Sequence, residues 1–131
     1  MENCIFCKII KKEIPAEIIW EDENFLAILD TKPLNDGHAL LIPKNHTDYI
    51  FDLAESEYAE LFLRARELAG PIQEVTKAKR IGIVVEGFGV PHCHIHLVPI
   101  NKAYELDPDR AKDADPDKLA QIAAKLRHAL S

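Results

Sequence analysis

Three histidines at alternating positions have the spacing best suited to chemistry. His92, His94 and His96 stand in the run His-Cys-His-Ile-His. In an extended strand, alternate side chains point to the same face about 6.6 Å apart, so the three imidazoles would form a row. Such a row is costly to bury, because neutral rings need hydrogen-bond partners and protonated rings repel one another. The spacing favours a functional row, with the remaining positions turned into the core: Cys93, Ile95 and Leu97.

Two kinds of chemistry fit a row of imidazoles, namely metal binding and phosphoryl transfer. Ligand atoms lie about 2 Å from a zinc ion, whereas His92 and His96 would be about 13 Å apart along a strand. At most one or two of the three can therefore share an ion. Neutral imidazole is nucleophilic near pH 7, and a neighbouring ring can donate a proton to a phosphate oxygen. Phosphoryl chemistry is favoured, with a metal-dependent enzyme that uses the row itself as the alternative.

Short segments with strand character must carry these residues, and turn formers separate them. Five strands are predicted, the third of them ended by Pro43: 18–22, 25–29, 38–42, 81–85 and 92–100.

Three helices are predicted around the strands. The first covers residues 4–12 and is closed off by Pro15. Apolar residues from Tyr58 to Ile72 recur every three or four positions, which indicates a long central helix. A C-terminal helix covers about 116–130 and begins at Pro116.

Local signals add detail to the central helix and to the segment before the last one. Asp52 and Glu55 could form a capping box, and Gly70-Pro71 should kink or end the helix. The charged stretch 101–115 is predicted to be a surface loop. The elements together predict an α+β fold with a five-stranded, largely antiparallel sheet, one long central helix, and shorter N-terminal and C-terminal helices.

Composition restricts the classes of protein to which the chain can belong. With 131 residues, 47% hydrophobic and 29% charged, it is expected to form one globular domain over 1–131. The net charge of −6 argues against a nucleic acid polymer as partner, and no apolar run approaches the ~20 residues of a membrane span. Three cysteines, and no secretory signal in Met1-Glu2-Asn3-Cys4, favour a cytoplasmic, reducing compartment.

Four motifs in order resemble the histidine triad (HIT) nucleotide-binding proteins, particularly their bacterial Hint-like branch. They are Cys-Ile-Phe-Cys at 4–7, Leu-Asp-Thr-Lys-Pro at 29–33, the stretch from Gly37 to His46, and His-Cys-His-Ile-His-Leu-Val-Pro at 92–99. The resemblance extends from residue 4 to about residue 100. It implies the HIT-like fold and a homodimer in which two sheets pair across a twofold axis.

The resemblance implies a catalytic set of His94, His96, His92 and His38. His94 would attack the α-phosphorus of a nucleoside phosphoramidate, adenylate or dinucleoside polyphosphate, giving a nucleotidyl-histidine that water resolves. His96 would contact the phosphate, and His38 would orient the row through a hydrogen bond unless it is merely structural. No catalytic metal is required. The alternative is a nucleotide-binding or interaction protein with only weak catalysis.

The resemblance also implies a site for a purine nucleotide resembling AMP. Asp30 would accept hydrogen bonds from the ribose hydroxyls, or else only cap its turn. Ile28 and Phe6 would line the base pocket, unless they are ordinary core residues.

The loop before the histidine row departs from the family pattern. The segment 85–91 lacks the Asn and the Gly-Gln-Ser-like residues of many Hint proteins. Backbone amides of Gly89 and Val90 are the expected phosphate donors in their place. Glu86 is expected to point away from the phosphate.

A Cys-x-x-Cys pair near the N-terminus raises the question of a zinc site. A single pair supplies two of four ligands, so two free thiols are the simplest interpretation of the motif alone. Zinc-bearing relatives, including the galactose-phosphate uridylyltransferases, add two histidines at corresponding places. The resemblance therefore implies structural Zn²⁺ on Cys4, Cys7, His46 and His92.

Overall fold

A five-stranded antiparallel sheet forms the centre of the structure, a computed structural model that describes residues 3–131. Its strands stand in the order β1-β2-β3-β5-β4, and every neighbouring pair is antiparallel. This arrangement confirms the predicted sheet and places β3 directly beside β5. The strand bounds are β1 Ile18–Glu21, β2 Phe25–Leu29, β3 Ala39–Pro43, β4 Arg80–Val84 and β5 Ile95–Ile100.

Three α-helices accompany the sheet, as predicted: α1 Ile5–Ile10, α2 Glu55–Thr76 and α3 Pro116–Leu130. Single 3₁₀ turns occupy Ile50–Asp52 and Pro108–Arg110. Among residues 3–131, no helix combines the length and apolar character that crossing a membrane demands. The single domain predicted over 1–131 stays a prediction, and its first two residues lie outside the described part of the chain.

The two faces of the sheet are covered by different helices. On one face, α2 and α3 pack their apolar stripes on the sheet, for example Leu61, Ile72 and Leu126, all fully buried. On the other face, α1 contributes Phe6 and Ile9 to a smaller apolar cluster. Because α1 has only six residues, it can cover only part of that face.

The signals read at the two ends of α2 were wrong in part. Asp52 belongs to a 3₁₀ turn, and Ala54 is the N-cap without a side-chain hydrogen bond, so there is no capping box. The helix also continues through Pro71 to Thr76 rather than ending there. Burial of Leu68 and Ile72 on both sides of the proline offsets its cost of ~3 kcal/mol in a helix interior.

The strand bounds also differ from prediction where histidines and prolines stand. Strand β3 does end at Pro43, as expected, although the proline is itself the last residue of the strand and pairs with Phe25. The fifth strand begins at Ile95, three residues later than expected, so His92 and His94 precede it. Each ring donates a hydrogen bond to a backbone carbonyl, His92 to Pro43 and His94 to His92.

The segment 101–115 is more ordered than a plain surface loop. The carboxylate of Glu105 is buried and accepts hydrogen bonds from the backbone amides of Asn101 and Lys102. Arg110 donates to the side chain of Asn35, 2.9 Å away, and so connects this segment to the β2–β3 loop.

Candidate active site and metal centre

A glycine allows the chain to enter β3 with a histidine at its start. Gly37 has φ +90, and a Cβ there would lie 2.5 Å from the Cγ2 of Thr76. Both the left-handed backbone and the close contact require glycine. The backbone amide of Asp30 donates to the carbonyl of His38 at 3.0 Å, which aligns this end of β3 with β2.

His38 and His96 form a hydrogen-bonded pair whose protons can be assigned. The amide of Leu34 donates to Nδ1 of His38 at 3.0 Å, so the proton of the neutral ring must be on Nε2. That Nε2 lies 2.9 Å from Nδ1 of His96 and donates to it. The remaining nitrogen of His96, Nε2, then carries a proton that it can donate to a ligand.

Burial keeps these two rings neutral. It lowers the pKa of His38 to about 4, against a smaller opposing effect from the Asp30 carboxylate. Burial also lowers the pKa of His96, and the neighbouring His94 adds to the lowering. Both imidazoles are therefore uncharged near pH 7 and act as hydrogen-bond donors rather than cations.

One ring nitrogen of His94 makes no hydrogen bond with the described residues. Its Nδ1 lies 2.7 Å from the carbonyl oxygen of His92, and a carbonyl oxygen only accepts, so Nδ1 carries the proton. The lone pair is then on Nε2, which has no hydrogen-bond partner among residues 3–131. The ring is only 7% exposed, and its centroid lies 5.0 Å from that of His96. The predicted adjacency of these two imidazoles is present in the structure.

Two cavities lie beside the histidines. His94 forms part of the wall of one, which has a volume of about 350 Å³. His96, His38 and Asp30 line the other, of about 150 Å³. An imidazole nitrogen without a partner among residues 3–131, a proton donor and room for a ligand therefore occur together.

His92 does not stand in the row with the other two imidazoles. Its Nε2 donates to the carbonyl oxygen of Pro43 at 2.7 Å, so its Nδ1 has the lone pair. That Nδ1 faces Cys4 Sγ at 3.3 Å and Cys7 Sγ at 3.6 Å. It also lies 3.1 Å from Nδ1 of His46. The side chain of His92 thus belongs to a cysteine–histidine cluster, while the backbone carbonyl of His92 accepts the hydrogen bond from His94.

The cluster of Cys4, Cys7, His46 and His92 fits a tetrahedral zinc ion. Its four ligand atoms all lie within 4.8 Å of one another. Tetrahedral geometry with ordinary zinc bond lengths requires about 3.3 Å between nitrogens and about 3.6 Å between nitrogen and sulfur. The measured nitrogen–nitrogen distance is 3.1 Å, and the sulfur–nitrogen distances run from 3.3 to 3.6 Å. The donor set, two thiols and two imidazoles, is also the one that zinc prefers.

Asp30 lies where it could serve either of its two proposed roles. One carboxylate oxygen accepts from the amide of Lys32 at 2.9 Å, which makes the turn-capping contact. The other lies 3.6 Å from Nε2 of His38. Because the side chain also lines the smaller cavity, capping its turn does not remove it from a ligand.

The proposed base-pocket residues are core residues in this structure. Phe6 and Ile28 are 5% and 4% exposed and belong to the cluster under α1. Neither lines the cavities beside His94 and His96. Phe6 does contact the site, since its ring packs edge-on against His94 with centroids 4.9 Å apart.

The loop before the histidines is placed differently from the expectation. Val90 packs on the α1 cluster and Gly89 is exposed, and neither lines the two cavities. Gly87, with φ +93, lines the larger one instead. The expectation that Glu86 points elsewhere was wrong, because its side chain lines both cavities. Spacing alone did not indicate this, since the loop has no periodic pattern.

Comparisons with known proteins agree with this geometry. The family model described as "HIT domain" matches residues 11–103. The chain belongs to the HIT family. An uncharacterized HIT-like protein from Methanocaldococcus jannaschii is 37% identical over 119 residues, covering 83% of this chain and 85% of that one. This HIT membership supports a nucleotide-binding hydrolase as the general class.

Two further HIT relatives bear on the activity and on the metal. The Arabidopsis thaliana protein named adenylylsulfatase HINT3 is 34% identical, covering 74% of this chain and 52% of that one. A zinc-bound histidine triad family protein from Mycobacterium smegmatis has a TM-score of 0.85 at 33% identity, covering 98% of this chain and 94% of that one. The second likeness confirms the HIT fold and is consistent with Zn²⁺ at the cluster.

Proposed function

We propose that the chain cleaves a nucleotide at its α-phosphate through a nucleotidyl intermediate on His94. The substrate class is a nucleoside phosphoramidate, adenylate or dinucleoside polyphosphate. The observation that carries this proposal is that His94 lines a cavity and its Nε2 has no hydrogen-bond partner among residues 3–131, while its Nδ1 donates to the His92 carbonyl 2.7 Å away. With its proton on Nδ1, the ring offers Nε2 as the nucleophile for a ligand in this cavity.

The chemistry proceeds in two displacements. In the first, the Nε2 lone pair of His94 forms a bond to the α-phosphorus, and the leaving group departs with the electron pair of its own bond. In the second, water attacks the same phosphorus, the phosphorus–nitrogen bond breaks, and its electron pair returns to Nε2. The products are the free leaving group and a nucleoside monophosphate.

His96 stabilises the charge that develops on the phosphate oxygens. Its Nε2 proton is available because His38 occupies Nδ1, and preorganised donors of this kind are a large part of catalysis. Asp30 at the adjoining cavity is suited to accept hydrogen bonds from ribose hydroxyls. A purine nucleotide is the proposed ligand, with its ribose at Asp30.

Zinc has a structural role in this proposal. When bound to Cys4, Cys7, His46 and His92, the ion would hold the N-terminal helix against the residue whose carbonyl orients His94. A closed site with four protein ligands has no open position for substrate, which is typical of structural zinc.

A homodimer is also proposed, as the resemblance implies. Strand β4 is an edge strand, and its Ile83 side chain is 48% exposed. An apolar edge strand invites pairing with another chain. The cytoplasmic compartment remains an expectation from the cysteines and the N-terminal sequence.

Turnover of adenosine 5′-phosphoramidate by wild-type protein and by two alanine variants tests the activity. His94→Ala should lower kcat/KM by about 10⁶-fold, the size of loss seen when a catalytic nucleophile is removed. His128→Ala removes an exposed histidine on α3 and should change it by less than about twofold. Turnover that survives in His94→Ala would overturn the proposal.

A binding protein with weak catalysis is the second candidate, favoured by the missing Gln and Ser side chains in residues 85–91. Equilibrium binding of AMP to the same proteins separates the two. Under the main proposal, His94→Ala binds AMP and does not turn over substrate. Under the second, wild-type protein binds AMP and its turnover is no faster than that of His94→Ala.

A further inference from the structure

The larger cavity, beside His94, is lined by different kinds of residue from the smaller cavity with Asp30 and His96. Four aromatic rings follow one another along it. The centroid distances are 5.4 Å from Tyr49 to Phe51, 6.2 Å from Phe51 to Tyr58, and 5.1 Å from Tyr58 to Phe62. A fifth ring, Phe88, is 90% exposed and also lines the cavity. Aromatic faces carry partial negative charge and attract cations.

The charged side chains of this cavity all have the same sign. Asp48 and Glu86 line it, and no Lys or Arg of residues 3–131 does so. An aromatic surface with two carboxylates is suited to a cationic group with apolar parts. An anionic group would meet repulsion from both carboxylates without any compensating cation.

The position of His94 relates this lining to the reaction. His94 contributes to the wall of this cavity and not to that of the cavity with Asp30 and His96. In the proposed reaction, Nε2 of His94 forms the bond to the α-phosphorus, so the phosphate must bind next to this ring. Glu86 lines both cavities, so it lies between the two sides. A substrate with its ribose at Asp30 therefore has the larger cavity available for the group on the other side of phosphorus.

We infer that the aromatic cavity is the leaving-group subsite and selects a cationic, amine-bearing group of apolar character. This inference rests on the proposed function and narrows its substrate class. The favoured substrate is a nucleoside phosphoramidate or adenylate whose leaving group carries an ammonium charge. Leaving groups rich in negative charge, such as a polyphosphate or sulfate, are disfavoured by Asp48 and Glu86.

The ammonium group takes no part in bond breaking. In the phosphoramidate, Nε2 of His94 forms its bond to phosphorus while the phosphorus–nitrogen bond breaks towards the leaving nitrogen. That nitrogen keeps the electron pair and takes a proton from solvent, so that it departs as an amine. The ammonium group, elsewhere on the leaving group, only binds in the aromatic cavity, and its charge does not change during the reaction.

Three matched substrates test the inference. They are the adenosine 5′-phosphoramidates of 3-(aminomethyl)benzylamine, 3-methylbenzylamine and 3-(aminomethyl)benzoate, which share a benzylic leaving nitrogen and differ in distal charge. With the wild-type protein, kcat/KM should fall in the order cationic, neutral, anionic. The cationic compound should exceed the anionic one by about tenfold or more, the size expected for partly exposed charge pairs and cation–π contacts. High salt should reduce this ratio.

Variants connect the preference to the two carboxylates. In the double variant Asp48→Asn, Glu86→Gln, the cationic-to-anionic ratio should fall by about tenfold towards one. Both residues are exposed, so the fold should persist, and the melting temperature verifies that. Glu23→Gln removes one negative charge from the exposed β1–β2 turn and should keep the wild-type ratio.

The outcomes separate the inference from the proposed function. Turnover of all three substrates at similar rates would overturn the inference and leave the proposed function standing. This would also be the result if a second copy of the chain filled the cavity, because the leaving group could then not enter it. A ratio unchanged in the double variant would likewise overturn it. Turnover of none of the three, nor of the unsubstituted phosphoramidate, would remove the proposed function and this inference with it.

Discussion

At the scale of single residues, the site depends on which ring nitrogen of each histidine carries the proton. The amide of Leu34 fixes the tautomer of His38, and the carbonyl of His92 fixes that of His94. These backbone groups leave His94 with a free lone pair and His96 with a free proton. The two rings have the same composition, and their surroundings give them opposite roles.

The burial of His38 makes stability depend on pH in a defined direction. Its pKa in the folded protein is about 4, below the value of ~6.5 in an unfolded chain. Between these values the unfolded state binds the proton more readily, so the free energy of unfolding falls as pH decreases from 6.5 to 4. The groups that face His38 are Asp30 and His96. The expected loss due to this ring is up to about 3 kcal/mol.

The difference in unfolding free energy between wild type and His38→Asn isolates this effect. Measured by denaturant titration at several pH values, that difference should become smaller as pH falls from 6.5 to 4. It should be constant above pH 7. Parallel stability curves for the two proteins would contradict the assignment of a neutral, buried His38.

Sequence was informative about residue types at the site and silent about their backbone partners. The alternation of His92, His94 and His96 indicated the chemistry, and the hydrogen bond from His38 was expected. The hydrogen bond from the backbone amide of Leu34 to His38 was not expected. Every residue except proline has such an amide, so the sequence does not indicate which one is used. The loop residues Glu86 and Gly87 were also misjudged or missed, since no periodic pattern indicates where the residues of this loop lie.

At the scale of elements, the cysteine–histidine cluster joins three parts of the fold. Cys4 and Cys7 belong to α1 and its N-cap, His46 follows β3, and His92 precedes β5. His92 belongs to the cluster, and its carbonyl holds His94, the proposed nucleophile, two residues further along the chain. Loss of the metal should therefore reach the active site through His92.

Replacement of one ligand tests this connection. Cys7→Ser should reduce bound zinc from one per chain to a small fraction, and lower the free energy of unfolding by more than ~2 kcal/mol. Cys93→Ala is the matched control, because Cys93 lies in the core outside the cluster, and it should retain zinc. Metal analysis of purified protein and denaturant unfolding measure both effects. Equal zinc content in the two variants would contradict the assignment.

Elements were predicted best where their pattern is long and worst at their ends. Tyr58 to Ile72 shows a helical period that tertiary packing reinforces, so α2 was found. Its continuation through Pro71 was missed because a local rule cannot weigh the burial of Leu68 and Ile72. The late start of β5 has a similar cause, since the bonds of His92 to Pro43 and of His94 to His92 are tertiary or irregular.

At the scale of the whole molecule, one side of the sheet has an apolar edge. Strand β4 lies at the edge of the sheet, and its Ile83 side chain is 48% exposed. Pairing of two copies along this edge would bury such side chains and satisfy unpaired backbone groups of β4. This is the surface on which the proposed homodimer would form.

Sedimentation equilibrium of wild type and Ile83→Arg tests the dimer. The wild type should sediment at twice the mass of 14.8 kDa. The variant should weaken association by more than about tenfold, because a buried unpaired charge opposes pairing. Arg80→Lys, a conservative change at an exposed position of the same strand, should remain dimeric. A monomeric wild type, or a variant that associates as tightly, would contradict the proposal.

The stereochemical course at phosphorus tests the covalent intermediate most directly. A substrate made chiral by sulfur at the α-phosphorus is hydrolysed in ¹⁸O-labelled water, and the configuration of the product thiophosphate is determined. Two successive in-line displacements, by His94 and then by water, predict net retention. Net inversion would mean that water attacks phosphorus in a single step, and it would contradict a nucleotidyl-His94 intermediate.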